Sequence, residues 1–438
     1  MTRIIKLLDV IAFALFGAVF AAAITTVVGI SSLFGRRRFC RKRVNRLSFA
    51  ICDLMNNRYD GMLGDVLLGD YISKDYYIYL DYNNARDRYA DISGRIFFHS
   101  IAAHPEGTLY SAGFRKTNML MVEVRMLARA FSIARNKGIS FVKSHDPHLL
   151  GLNAFIVARL FRIPYILHLN SDFDMKYKGL GRTSSPVFLS RSIERIFERA
   201  IIMSADMIMA DRMLYRNSRS LPESRKGRYR PFGVRVAERH YGDLSSRKNL
   251  AKELGVEGRK IVFYAGRLHP VKYPEDVLAA MSIIKKSVEG AVLVMAGGGP
   301  MRAVLEDMAR SMGLGGSVIF LGPRSNDELA DLLYTADVFL APHGGVTLVE
   351  AALAAAPIVA YDFDWHSEFI ESGKMGYLVP FRDAAGMAKK AIEILTDDPL
   401  RKYMADNCRK TALEKCSRKS SIANERKVYE ELLGCAAN

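Results

Sequence analysis

The sequence predicts an α/β fold: two doubly wound domains, each a parallel sheet covered by helices, behind an N-terminal transmembrane helix. Three observations carry that expectation. The chain has 438 residues, more than one hydrophobic core commonly holds. Short apolar runs alternate with helical patterns over most of it, as strands buried on both faces of a parallel sheet do. One uncharged stretch near the N-terminus is too long for a core strand or an ordinary buried helix.

That stretch comes first. Residues 10–35, VIAFALFGAVFAAAITTVVGISSLFG, carry no charge and exceed the ~20 apolar residues that cross a hydrocarbon core. A signal peptide has a shorter apolar region and a small-residue cleavage site. Ala21, Ala22 and Ala23 mimic such a site, but the run continues past them. Asp9 and Lys6 lie close to its edge, which keeps a re-entrant or interfacial helix open beside a crossing. The flank RRRFCRKR at 36–43 is strongly basic, whereas only Arg3 and Lys6 precede the run. The positive-inside bias then places the body of the chain in the cytoplasm. Near anionic lipid the cluster contributes about 1 kcal/mol per charge. The formal net charge of +17 raises nucleic acid as a partner. A membrane surface accounts for the charge, and no interleaved aromatic and basic motif supports the alternative. Cys40, Cys52, Cys408, Cys416 and Cys435 are scattered without a C-x-x-C pair, so they read as free thiols, neither a zinc site nor a disulfide framework.

In the first domain the expected strands are 47–52, 76–80, 95–99, 141–144, 165–168 and 207–210, with helices at 119–136 and 150–161. The Asp-, Asn- and Tyr-rich stretch 53–92 fits this alternation poorly. A charged linker with one short helix spans 215–258, broken by Pro222, Pro231 and Gly233. Beyond it the alternation is cleaner. KIVFYAG is a strand and turn, and Pro274 suits the first turn of a helix over 275–287. AVLVMA is a strand that ends at the turn 297–300 and leads to a helix reaching 312. VIFLG, DVFLAP and PIVAYD are three more strands, and a polar helical tail fills 384–434. The chain thus divides into a membrane anchor with its basic flank (1–45), a first domain (46–235), a second (236–415) and a last helix (416–438).

Open parallel sheets bind ligands beyond the carboxyl ends of their strands. In GRLHPVK, Arg267 and Lys272 stand five residues apart, after a strand and before a helix. A planar guanidinium and a mobile ammonium placed there suit a diphosphate; ordinary solvated loop cations are the plainer reading. In PHGGVT, Gly344 and Gly345 precede a helix, where paired glycines let the backbone approach a ligand. Glu350 falls in the first turns of that helix, where the macrodipole favours a carboxylate that can grip a ribose diol. A charge on an ordinary helix start is again the plainer reading. The 297–300 turn is explained as well by a tight βα connection as by a ligand.

Through FYAGRLHPVK, VLVMAGGGP, VIFLGP, DELADLLYTADVFLAP, GGVTLVEAALAAAPIVAYD and SEFIESGKMGYLVP, the segment 259–380 resembles the donor domain of retaining glycosyltransferases of family 4. These are the group 1 glycosyl transferases with the GT-B fold. SFVKSHDPHLLG and IPYILHLNSDFD resemble that family's acceptor side more weakly. The resemblance implies two Rossmann-like domains facing across a cleft that closes on the donor, with the last helix crossing back to the first domain. It implies Gly266, Arg267 and Lys272 at the donor diphosphate, and His343, Gly344, Gly345 and Val346 in the loop at donor phosphate and sugar. It implies Glu350 at the ribose, with a share in catalysis, and His145 as the active-site histidine of the acceptor domain. The reaction implied is sugar transfer from a nucleoside diphosphate with retention, needing no metal or other cofactor.

Two positions depart from the family pattern. The family has two glutamates eight residues apart, and the earlier position here is Pro342. His343 or the loop backbone then takes over its contact to the donor sugar. No glycine-rich loop follows the first strand; Gly61 and Gly64 are the nearest candidates. A sugar-nucleotide epimerase or glycan phosphorylase on the same architecture remains a rival, although an epimerase has no need of an anchor. A membrane-tethered scaffold that has lost activity is the rival Pro342 favours. The expected partners are a nucleotide-sugar donor, a lipid-linked or glycan acceptor and an anionic membrane surface, without nucleic acid. The expected location is a membrane, held by a single-pass N-terminal anchor with the catalytic body in the cytoplasm.

Overall fold

The computed structural model describes residues 44–50, 71–81, 84–92, 94–104, 114–170, 190–211, 220–234 and 236–434, with a few residues inside 8–26 and 173–188. Among them no helix is long and apolar enough to cross a membrane. The run expected to cross, 10–35, lies almost wholly outside the described residues, as do Gly61, Gly64, Cys40, Cys52 and Cys435. Cys408 and Cys416 are free and buried.

The first domain is built on eight strands: β1 (Val44–Ala50), β2 (Ile72–Asp81), β3 (Arg88–Ile92), β4 (Ile96–Ala102), β5 (Phe141–Ser144), β6 (Tyr165–Leu169), β7 (Met207–Ala210) and β8 (Tyr229–Pro231). Their order is β3-β4-β2-β1-β5-β6-β7-β8. All neighbours are parallel except β3, which runs antiparallel to β4 with Arg88 opposite Ser100. The stretch that fits the alternation poorly is thus partly a hairpin, closed where Asp91 Oδ1 accepts from the Gly94 N–H at 2.9 Å. A hairpin needs only a few connecting residues, whereas a parallel neighbour needs a crossover. Helices α1 (Arg115–Asn136), α2 (Leu149–Phe161) and α3 (Arg191–Ser204) cover one face, setting Met126, Val157 and Ile201 among Leu47, Ile78 and Leu167.

The second domain has six parallel strands: β9 (Ile261–Ala265), β10 (Val292–Ala296), β11 (Val318–Gly322), β12 (Val338–Ala341), β13 (Ile358–Tyr361) and β14 (Gly376–Val379). Their order is β11-β10-β9-β12-β13-β14. Helices α4 (Pro274–Ser287), α5 (Arg302–Ser311), α6 (Asn326–Tyr334), α7 (Thr347–Leu353), α8 (His366–Phe369), α9 (Ala384–Thr396) and α10 (Asp398–Lys415) surround them. Local chemistry sets the helix starts. Pro274 occupies the first turn of α4, and Ser325 and Glu328 form a reciprocal capping box on α6. In place of one short linker helix there are three 3₁₀ turns, Glu223–Arg228, Glu238–Tyr241 and Leu244–Ser246, and the short strand β8.

The last helix, α11 (Arg418–Leu433), lies on the other face of the first sheet. Val428 and Tyr429 pack there with Tyr77, Phe98, Phe141 and Met209. Under it sits a buried polar network. Lys143 of β5 donates to Glu425 at 3.0 Å, Arg46 of β1 donates to Tyr429 Oη at 2.8 Å, and Arg46 also pairs with Asp75. The chain therefore passes between domains twice, through the linker and at Cys416–Ser417. The Tyr241 hydroxyl donates to the Cys416 carbonyl at 2.6 Å and ties the two passages together.

Candidate functional site

β9 and β12 are parallel neighbours, with Phe263 beside Phe339, so the loops that follow them emerge side by side. The β9 loop runs along the turn after β10. The Gly266 N–H donates to the Ala296 carbonyl at 3.0 Å and the Leu268 N–H to the Gly298 carbonyl at 2.9 Å. Gly297, at φ 142°, lies so close that a Cβ would collide with the Gly266 carbonyl oxygen. Backbone packing thus explains the glycine turn at 297–300. The loop then makes a 3₁₀ turn at Pro270–Lys272, capped by the His269 side chain. The Arg267 side chain is exposed and makes no hydrogen bond or ion pair among the described residues. Lys272 reaches across, and its Nζ donates to the His343 carbonyl at 3.1 Å.

The β12 loop closes against this ammonium. A Cβ on Gly345 would stand 3.9 Å from Lys272 Nζ, and one on Gly344 would collide with the Leu348 side chain. The Gly344 N–H donates to His366 Nε2 at 3.1 Å, while His366 Nδ1 bonds the Tyr361 carbonyl at 2.7 Å. Burial pushes His366 down to about 4, and this pair of bonds suits the neutral ring, with its proton on Nδ1. The His343 ring is turned into the protein, with Nδ1 on the Val271 carbonyl at 2.6 Å and Nε2 3.5 Å from Asp364. Val346 is partly exposed at the loop's end.

Glu350 lies one turn into α7, 8% exposed. Burial pushes its carboxyl up to about 7. The His240 ring of the linker stands near it, Nε2 to Oε1 3.7 Å, too long for a hydrogen bond. Burial, with Arg247 and Arg239 nearby, pushes His240 down to about 4, and among the described residues neither of its ring nitrogens has a hydrogen-bond partner.

His145 stands in the first domain, just past β5. Its N–H donates to the Phe49 carbonyl at 3.1 Å and its ring packs edge-on against His168. Withdrawal from water, with Lys143 and Arg46 near, lowers it to about 3, so the ring is neutral. The structure thus brings Lys272, His343, Gly344 and Gly345 into contact and sets Gly266 and Arg267 on the same loop. Val346 and Glu350 continue from the glycine loop, and His145 belongs to the other sheet. Two histidines escape the sequence reading. His366 was legible in principle, since it follows a third adjacent strand end. His240 was not, because nothing local links a linker histidine to a carboxylate 110 positions on.

Two D-x-D triads occur in the sequence, 172–174 and 362–364. Asp174 binds Arg191 and Arg195 at 2.9 and 2.7 Å, and Asp364 faces His343. One group of possible metal donors converges among the described residues: His148, Glu194 and Glu198. A guanidinium already fills it, with Arg191 bonded to Glu194 at 3.0 Å and to both oxygens of Glu198 at 2.6 and 2.8 Å.

Residues 246–411 match the family Glycosyl transferases group 1. The chain is 28% identical over 189 residues to N-acetyl-alpha-D-glucosaminyl L-malate synthase of Bacillus anthracis, covering 42% of this chain and 49% of that protein. It is 31% identical over 180 residues to a GDP-mannose-dependent alpha-(1-6)-phosphatidylinositol monomannoside mannosyltransferase of Mycobacterium tuberculosis, covering 39% and 46%. The match spans about half the length of these relatives. In fold, the chain is similar to sucrose-phosphate synthase of Thermosynechococcus elongatus, with a TM-score of 0.70 at 17% identity over 90% of this chain and 100% of that one.

Proposed function

We propose that this chain, whose residues 246–411 match the family Glycosyl transferases group 1, moves a sugar from a nucleotide-diphosphate sugar to a lipid-linked or polysaccharide acceptor. Transfer proceeds with retention at the anomeric carbon. The observation that carries the reading is the meeting of the Lys272 ammonium with the glycine loop at adjacent strand ends. The resemblance to a GDP-mannose-dependent enzyme acting on a phosphatidylinositol mannoside supports a nucleotide donor and a lipid-borne acceptor.

In this reading the diphosphate lies between Arg267, Lys272 and the amides of 344–346. Charge grows on the diphosphate as the glycosidic bond breaks, and cations fixed beforehand in a dry cleft stabilise it most at that stage. Glu350 takes the ribose hydroxyls, which supply hydrogen-bond donors that its buried carboxylate does not find among the described residues. His145, neutral, accepts from or donates to the acceptor hydroxyl or donor sugar and positions it. Domain closure brings it to the donor. No step calls on a metal. The apolar N-terminus holds the enzyme at a membrane, with the body in the cytoplasm. A scaffold that binds nucleotide without turnover is the second reading, favoured by Pro342 at the sugar-contacting position.

Calorimetry with uridine and guanosine diphosphates tests the binding half. Arg267→Ala and Lys272→Ala are each expected to weaken affinity at least about tenfold, the factor for ~1.4 kcal/mol. Unchanged affinity in both would remove the diphosphate site. A donor screen against lipid-linked acceptors, with Glu350→Ala as the inactive control, separates enzyme from scaffold.

A further inference from the structure

The head of the apolar N-terminal run is bonded to the body of the protein. Helix α1 has no cap of its own: Phe114 stands at the N-cap and makes no side-chain capping bond. Asp9 supplies one from a distance. Its carboxylate accepts from the N–H groups of Lys116 and Thr117, both at 2.9 Å, and from Thr117 Oγ1 at 2.8 Å. A carboxylate at this position satisfies amides that a helix start otherwise leaves open. Asp9 is buried, while Leu8, Val10 and Ile11 around it are exposed. This stretch therefore turns its one acid onto the protein and its apolar side chains outward. The chain is equally well placed after the run. At Val44 it enters β1, an interior strand held between β2 and β5.

Residues on either side of the run are thus fixed to one domain. A segment that crosses a bilayer once leaves its two flanks on opposite sides. We infer that the N-terminus and the catalytic body lie on the same face of the membrane. The inference rests on the membrane reading of 10–35 given above. Charge supports it independently. Arg3 and Lys6 lie before the run and the 36–43 cluster after it. A single crossing carries one basic flank outward, whereas same-side attachment keeps both at the anionic surface. Interfacial segments of 20–30 residues commonly attach in this way. The location matters as well. The Asn118 side chain donates to the Ala103 carbonyl at 2.9 Å, so α1 starts beside the carboxyl end of β4. Since β4, β2, β1 and β5 are parallel, that is the sheet edge on which His145 stands. Asp9 thus brings lipid to the edge where a lipid-borne hydroxyl has to arrive.

The test uses the full-length chain with one epitope tag before Met1 and another after Asn438, in sealed vesicles whose cytoplasmic face is outward. Protease added outside is expected to remove both tags together. A first tag that survives until detergent is added, while the second is lost, overturns the inference. Flotation and an alkaline wash judge the membrane reading separately. A chain that washes off as soluble protein removes that reading and this inference with it; a chain that stays in lipid with its tags on opposite sides removes this inference alone. In Asp9→Ala, cleavage within residues 1–9 is expected to run roughly five-fold faster, the factor for losing one ordinary helix cap. An unchanged rate overturns the role of Asp9 as the pin.

Discussion

In the proposed function, Glu350 is the residue at which binding and stability oppose each other most directly. Its carboxyl is raised from an ordinary 4.5 to about 7 by burial alone. A folded-state value above the unfolded one means the protonated form contributes stability below pH ~4.5, and that contribution is lost as the pH rises through about 7. Glu350→Gln, which needs no charge in that place, is therefore expected to melt at a higher temperature than the parent at pH 8. The shift bounds the gain at roughly 3 kcal/mol, and the difference should vanish near pH 4. The same variant should bind nucleotide more weakly, as residues kept for function often sacrifice stability. Ribose hydroxyls donate to the ionised carboxylate and favour it. Donor binding at pH 6 should then release close to one proton, read by calorimetry in buffers of different ionisation enthalpy; no proton release would place the ribose elsewhere. His366 is the complementary case, a neutral imidazole whose two bonds hold the glycine loop in place.

At the scale of elements, close approach of backbones decides which substitutions the site tolerates. Gly344→Ala drives a methyl into Leu348. Overpacking of that kind costs about 1–3 kcal/mol, and the loop moves before the helix core does. The expected signature is a nucleotide affinity down about tenfold with a smaller fall in melting temperature, measured on the same preparation. Much at this scale was legible, because the features are local. β9 and β12 announce themselves by apolar runs, and Lys272 and the glycines follow directly behind them. What escaped depends on distant partners. The expected first strand starts at 47, one residue after Arg46. Arg46 is an interior strand residue only because Asp75 and Tyr429 meet it. Lys143 is buried for the same reason, against Glu425. The direction of β3 and the existence of β8, three residues ending in proline, were equally beyond periodicity. Glu425→Ala would leave Lys143 buried without its carboxylate. Breaking such a pair costs about 3–5 kcal/mol, expected as a lower denaturant midpoint for the first domain. An unshifted midpoint would mean that water reaches the network.

Across the whole molecule, the last helix makes the two domains interdependent. α11 begins in the second domain's sequence and ends in the first domain's core, where Tyr429 packs against Phe141. Removing 417–438 should uncover the Tyr77–Phe98–Met209 face and abolish the first domain's cooperative melting, while the second domain keeps its own transition. Two separate transitions in the intact protein and one in the truncated form would bear this out by calorimetry. The pair of passages joined by Tyr241 and Cys416 also governs how the lobes can travel. A lobe hung on one thread can swivel as well as swing. Two threads pinned side by side leave little but the swing, as a door on two pins can only open and shut. In the proposed transfer, most of the orientational search for the shut geometry is then already done by the covalent chain before a donor binds.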